Sequence, residues 1–143
     1  MNLDKILLIH GPNLNLLGTR EPDIYGQDSQ DQLFKFIDSS FPEIKFIFFQ
    51  SNHEGLIIDV LHEHKNLVDA IIINAGALSH YSYSIRDAIK VINIPTMEVH
   101  LSNIKDRESF RRKLVLSDVC FDTIFGKGKK GYIEAVRKLK DIR

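Results

Sequence analysis

The stretch Lys5-Ile6-Leu7-Leu8-Ile9-His10, followed by Gly11-Pro12-Asn13-Leu14-Asn15-Leu16-Leu17-Gly18-Thr19-Arg20-Glu21-Pro22-Asp23-Ile24-Tyr25-Gly26, is where the fold is decided. Its first part is apolar almost without a break, the mark of a strand covered on both faces. Its second part is too long for an ordinary strand-to-helix connection, which takes a few residues. It also sets an Arg, a Tyr and two Asn among glycines and prolines. A long polar loop at the end of a core strand is where a rigid scaffold carries its chemistry; an inert surface Ω-loop is the alternative.

Outward from this stretch, apolar runs of strand length recur at residues 45–49, 70–73 and 96–99, and more weakly at 123–125. Helical spacing fills the gaps. Ser29 and Gln32 stand at capping-box separation before Leu33, Phe36 and Ile37, and Ser51 and Glu54 repeat that separation before Leu56, Ile57, Val60 and Leu61. Residues 82–91 and 131–139 predict two more helices, and residues 106–113 a shorter one. Strand and helix in alternation predict an α/β three-layer sandwich with a parallel sheet and right-handed crossovers. Five strands suit the flavodoxin-like order 2-1-3-4-5 better than a larger dinucleotide-binding sheet.

The chain of 143 residues fits one domain spanning residues 1–143, without linker, repeat or low-complexity segment. Its 19 Lys+Arg balance 19 Asp+Glu, so the basic surface a general nucleic-acid binder needs is missing, although local cations can still hold a small anion. The lone Cys120 cannot form an internal disulfide, and six His without paired Cys do not resemble a structural zinc site. The first residues do not read as a signal peptide and no apolar run approaches membrane-span length, so a soluble, cytoplasmic protein is expected.

Ligands of open α/β sheets bind beyond the carboxyl ends of the strands. Those ends carry His10 and Asn13 after the first run, Gln50, Ser51, Asn52 and His53 after the second, and Asn74, Ser79 and His80 after the third. The fourth runs Glu98-Val99-His100 into Leu101-Ser102-Asn103, and the fifth gives Gly126-Lys127-Gly128. The opposite ends carry ordinary residues such as Asp4, Asp69 and Pro95. Glu98 and His100, two apart on a strand, share one face. A carboxylate there orients the imidazole and favours imidazolium, a good general acid; a structural histidine is the alternative. His62 and His64 fall on a helix surface. Gly126-Lys-Gly-Lys-Lys-Gly131 matches a dinucleotide fingerprint literally, but it follows the last strand and reads as a turn. The acidic cluster of a receiver domain is also missing after the first run.

Five motifs in register resemble a known family. Gly-Pro-Asn-Leu-Asn-Leu-Leu-Gly-x-Arg-Glu-Pro-x-x-Tyr-Gly from Gly11, Gln50-Ser-Asn-His-Glu-Gly55, Asn74-x-Gly-x-x-Ser-His80, Glu98-Val-His-Leu-Ser-Asn103 and Arg107-Glu-x-x-Arg111 are similar to the type II 3-dehydroquinate dehydratases of the shikimate pathway and quinate breakdown. The resemblance covers residues 5 to 139. It implies a dehydration of 3-dehydroquinate to 3-dehydroshikimate through an enolate, with anti stereochemistry and without cofactor, metal or lysine Schiff base.

Position by position, the resemblance implies that Tyr25 is the base beside the ketone. Bringing a tyrosine from its ordinary value near 10 to about 7 takes roughly 4 kcal/mol of preferential tyrosinate stabilisation. Arg20 is the matching cation. Asn13, with a bound water, matches the enolate-stabilising amide. His100 matches the acid for the departing hydroxyl, and Glu98 its orienting carboxylate. Asn74, Ser102 and the backbone amides of Leu101 and Ser102 match the carboxylate-binding set, and His80 and Arg111 the groups that hold ring hydroxyls. Asp87 matches a residue reaching a neighbouring subunit's site, in a family that forms trimers packed into dodecamers. Leu114 and Tyr81 depart from the commoner Ser and small residue at those places, without touching a catalytic position. The loop is then expected to act as a lid, with Asn13 fixed near the first strand and the Arg20–Tyr25 end moving. A flavodoxin-like binding or regulatory domain without activity is the competing reading.

Overall fold

A computed structural model describes residues 2–19 and 22–142, apart from the side chains of Pro22 and Tyr25. Among the described residues, five strands form one parallel sheet: β1 (Lys5–His10), β2 (Lys45–Gln50), β3 (Ala70–Asn74), β4 (Thr96–His100) and β5 (Asp122–Phe125). Their order is β2-β1-β3-β4-β5, the flavodoxin-like order expected, with Ile6 opposite both Phe46 and Ala70. Four long helices cover it: α2 (Gln30–Ser40), α3 (Glu54–His64), α4 (Tyr83–Ile92) and α5 (Lys130–Lys140); the one-turn α1 spans Pro22–Tyr25.

The continuous apolar runs exist because alternate residues feed two cores. Ile6 and Leu8 of β1, with Ala70 and Ile72 of β3, pack under Leu33 and Ile37 of α2 and Tyr132 and Val136 of α5. Leu7, Ile9, Ile71 and Ile73 point the other way, under Ile57 and Leu61 of α3 and Ile85 and Ile89 of α4. Successive side chains of a strand face opposite sides, so no position of β1 or β3 inside the sheet can be polar until its carboxyl end. His10 and Asn74 stand there, paired across the sheet.

The Ser29 cap forms as expected: Gln32 N–H donates to Ser29 Oγ at 3.1 Å, and Ser29 N–H to Gln32 Oε1 at 2.8 Å. The matching expectation at Ser51 fails. Ser51 Oγ instead accepts from His53 N–H at 2.9 Å, one residue before α3, whose N-cap is His53. Glu54 is drawn away by a tertiary partner, because its carboxylate accepts from Ser82 Oγ, the N-cap hydroxyl of α4. The helix expected at 106–113 is replaced by 3₁₀ turns at Ile104–Asp106 and Ser109–Arg112. The Asn103 side chain caps the first through Lys105 N–H, and Arg107 between them is extended, which stops a continuous helix. Among the described residues no helix is long and apolar enough to cross a membrane.

Two glycines let the loops after β1 and β3 touch backbone to backbone. A Cβ on Gly11 would lie 2.3 Å from the Ala75 carbonyl oxygen. Gly76 takes a left-handed φ of +61°, where a Cβ would sit 3.0 Å from the Pro12 carbonyl. That contact brings Asn13 and Asn74 to one edge of the sheet.

Candidate active site

One cleft opens at the carboxyl edge of β1, β3 and β4. Asn13, Asn74, His80, His100, Ser102 and Arg111 all line it, together with Leu101 and Arg107. A larger hollow lies between α2 and α5, lined by Phe36, Phe41, Lys130 and Arg137. Size does not select the site; convergence of amide, imidazole and guanidinium groups does.

His100 and Glu98 meet as their strand spacing predicts. His100 Nε2 lies 2.8 Å from Glu98 Oε2, and both side chains are buried. The other carboxylate oxygen accepts from Ser117 Oγ at 2.7 Å and from Thr123 Oγ1 at 3.0 Å. Burial pushes the Glu98 carboxyl up, but the His100 ring and the two hydroxyls outweigh it and hold it below the usual carboxylate value. Glu98 is therefore a fully satisfied anion that binds His100 through Nε2, and Nδ1 remains for the cleft.

His80 stacks near His100, with ring centroids 6.3 Å apart. Its Nδ1 lies 2.9 Å from the Lys113 carbonyl oxygen, so Nδ1 carries the proton it donates and Nε2 is left for a ligand. Burial, then the neighbouring His100 and Arg111, lowers its pKa and favours the neutral ring. Arg111 donates through Nε to Glu108 at 3.1 Å and lies over the Phe110 ring. Arg107 reaches toward Ser102 Oγ at 3.5 Å. The loop after β4 is held by its own carbonyls, which accept from Gly126 and Gly128 N–H. Of the segment read as a turn, residues 126–129 are a turn that braces this loop, whereas Lys130 and Gly131 already belong to α5.

Asn13 takes a left-handed φ of 70°, and its N–H donates to Asn52 Oδ1 at 3.0 Å. Gln50 Nε2 donates to Gly11 O and to Asn52 Oδ1. Gln50 and Asn52 therefore support the loop, Ser51 and His53 serve the start of α3, and none of the four lines the cleft. The first half of the loop continues through a 3₁₀ turn, Leu14–Leu16, with Leu14 and Leu17 buried. Beyond α1, Lys129 pairs with Asp28 at 3.1 Å. Arg20 and the Tyr25 side chain lie outside the described residues, and so does the lid motion expected of them. Asp87 stands on the exposed face of α4 and does not line this cleft.

Some groups escaped sequence reading. Arg107 lay in a quoted motif, and its four-residue separation from Arg111 was the available signal. Ser117 and Thr123 gave none, because both reach Glu98 only through the folding of the 101–121 segment. Tyr132 gave no signal beyond its place in the helix expected over 131–139.

A parallel sheet of this order, with a buried carboxylate–imidazole pair, a second imidazole and two amides at its carboxyl edge, defines an acid–base enzyme of the flavodoxin-like class. Residues 4–140 match the family model described as dehydroquinase class II, and the chain belongs to that family. It is 54% identical over 143 residues to a 3-dehydroquinate dehydratase of Caldicellulosiruptor bescii, covering 98% of this chain and 99% of that one. It is 47% identical over 137 residues to the 3-dehydroquinate dehydratase of Bacillus subtilis, covering 93% and 91%. The type II dehydroquinase structure from Butyrivibrio crossotus superposes with a TM-score of 0.94 at 46% identity, covering 96% of this chain and 98% of that one.

Proposed function

We propose that His100, held by Glu98, is the general acid in the dehydration of 3-dehydroquinate to 3-dehydroshikimate, the hydro-lyase reaction of this family in the shikimate pathway. The observation that carries this reading is the His100 Nε2–Glu98 contact, which leaves Nδ1 as the ring nitrogen for the cleft. Tyr25, with Arg20 favouring its anion, removes the proton beside the ketone. The resulting enolate is stabilised by Asn13 acting with a bound water. As the carbon–oxygen bond breaks, His100 gives its Nδ1 proton to the departing hydroxyl, and water leaves. Glu98 stays ionised and offsets the charge of the imidazolium until the ring is neutral.

Substrate placement follows the same division. Asn74, Ser102 and the backbone amides of Leu101 and Ser102 take the carboxylate, while His80 and Arg111 hold ring hydroxyls. The neutral His80 suits a hydroxyl, since its free Nε2 accepts a hydrogen bond. Asp87, exposed on α4, serves a neighbouring copy's site within trimers that pack into a dodecamer. Residues 1–143 act as one catalytic domain, in the cytoplasm and without cofactor or metal.

The test is direct. Purified protein with chelator present should convert 3-dehydroquinate to the conjugated enone, read as a rise in ultraviolet absorbance. Folded protein that produces no rise would leave the fold in use as a binding domain and overturn the enzyme reading.

A further inference from the structure

Four buried or half-buried polar side chains from four elements form a chain that reaches the cleft from beneath. Gln30 opens α2, His10 ends β1, Tyr132 lies in α5 and Asn74 ends β3. His10 Nδ1 is 2.9 Å from Gln30 Oε1, and its Nε2 is 2.8 Å from the Tyr132 hydroxyl. Asn74 Nδ2 donates to that same hydroxyl at 3.1 Å. His10 and Tyr132 are wholly buried, where an unmet polar atom is costly, so each of these contacts has to be a real hydrogen bond.

A backbone group sets the direction of the chain. The Gly76 N–H can only donate, and it reaches Asn74 Oδ1 at 3.2 Å. Asn74 must then present Nδ2 to Tyr132, whose oxygen accepts and whose own proton goes to His10 Nε2. His10 is thereby the tautomer protonated on Nδ1, donating to Gln30 Oε1. Reversing any one member puts two donors or two acceptors face to face. One Nδ2 hydrogen of Asn74 is taken by Tyr132, and the other remains for a ligand in the cleft that Asn74 lines.

We propose that His10 and Tyr132 are positioning residues that lock the Asn74 amide, so that its remaining Nδ2–H and not its carbonyl oxygen meets the substrate carboxylate. This rests on the reading of Asn74 as a carboxylate ligand. A flipped amide would exchange donor for acceptor and repel the anion, so the lock acts on substrate capture ahead of the chemistry.

Nitrogen-15 NMR of histidine-labelled wild-type protein reads the His10 tautomer without any use of activity. Protonation on Nδ1 is expected, and protonation on Nε2 would overturn the lock. Tyr132→Phe keeps the ring and removes the hydroxyl. It should raise KM for 3-dehydroquinate about tenfold, as the loss of about one hydrogen bond predicts, with a smaller change in kcat. In an Asn74→Ala background the same substitution should add no further loss of kcat/KM. Losses that simply add would mean that Tyr132 acts through packing, against the proposal. Inactive wild-type protein would overturn the substrate reading, a failure the NMR result separates from failure of the lock.

Discussion

Glu98 and His100, two residues apart on β4, meet at 2.8 Å with the carboxylate wholly shielded from solvent and its other oxygen held by two hydroxyls. A strand places both side chains on one face, and the surrounding donors keep the carboxylate charged. Glu98→Gln preserves the shape and removes the charge. It should lower kcat roughly 10²-fold while changing KM much less, because the charge matters most as the imidazolium gives up its proton. Steady-state kinetics on 3-dehydroquinate check this.

Ser117→Ala removes one of the donors that stabilise ionised Glu98. The carboxyl pKa should then rise, and the acid limb of the kcat–pH profile should move to higher pH. Turnover near neutrality should fall only a few-fold, as expected for one hydrogen bond to a charged group. An unmoved acid limb would mean that Ser117 does not act through Glu98.

The Glu98–His100 pair was legible in the sequence because it depends on a period of two along one strand. The sheet was legible for a similar reason: Ile6 through Ile9 and Ala70 through Ile73 are apolar without interruption, and two-sided burial demands it. The hydroxyls behind Glu98 were not legible, since Ser117 and Thr123 lie 19 and 25 residues away and arrive only when the chain returns. Tyr132 stands 58 residues from Asn74 and reaches it from α5, packed on the face to which Asn74 points. Identical local signals also diverged. Ser29 and Gln32 cap their helix, whereas Ser51 and Glu54 do not, because Ser82 offers Glu54 a stronger tertiary partner. Local pattern decides where nothing distant competes.

His10 ties stability to pH. Burial lowers its pKa from 6.5 to about 4, so the folded protein keeps it neutral where the unfolded chain would bind a proton. The unfolded state therefore holds more protons between those values, and stability falls as pH drops from about 6.5 toward 4. The full contribution is about 3 kcal/mol, present above 6.5 and lost progressively below it. Denaturant titrations at pH 7 and pH 5 should show the loss, and His10→Asn should show a shallower one. An equal slope in the variant would contradict this assignment.

Gly11→Ala tests the contact that joins the two loops of the site. The added Cβ would meet the Ala75 carbonyl at 2.3 Å, against backbone that cannot turn aside. A destabilisation of at least about 2 kcal/mol is expected from forced overpacking, read as a lower denaturation midpoint. A midpoint within error of wild type would show that the loops part easily.

Proton exchange in His100→Ala measures the central claim, because it separates the base from the acid. In deuterated water the variant should still exchange the proton beside the ketone of 3-dehydroquinate, read by proton NMR, since the proposed mechanism gives enolate formation to Tyr25 and not to His100. Formation of 3-dehydroshikimate should fall at least about 10²-fold, because the hydroxyl then leaves without its proton. Dehydration by His100→Ala at the wild-type rate would contradict the assignment of His100 as the acid.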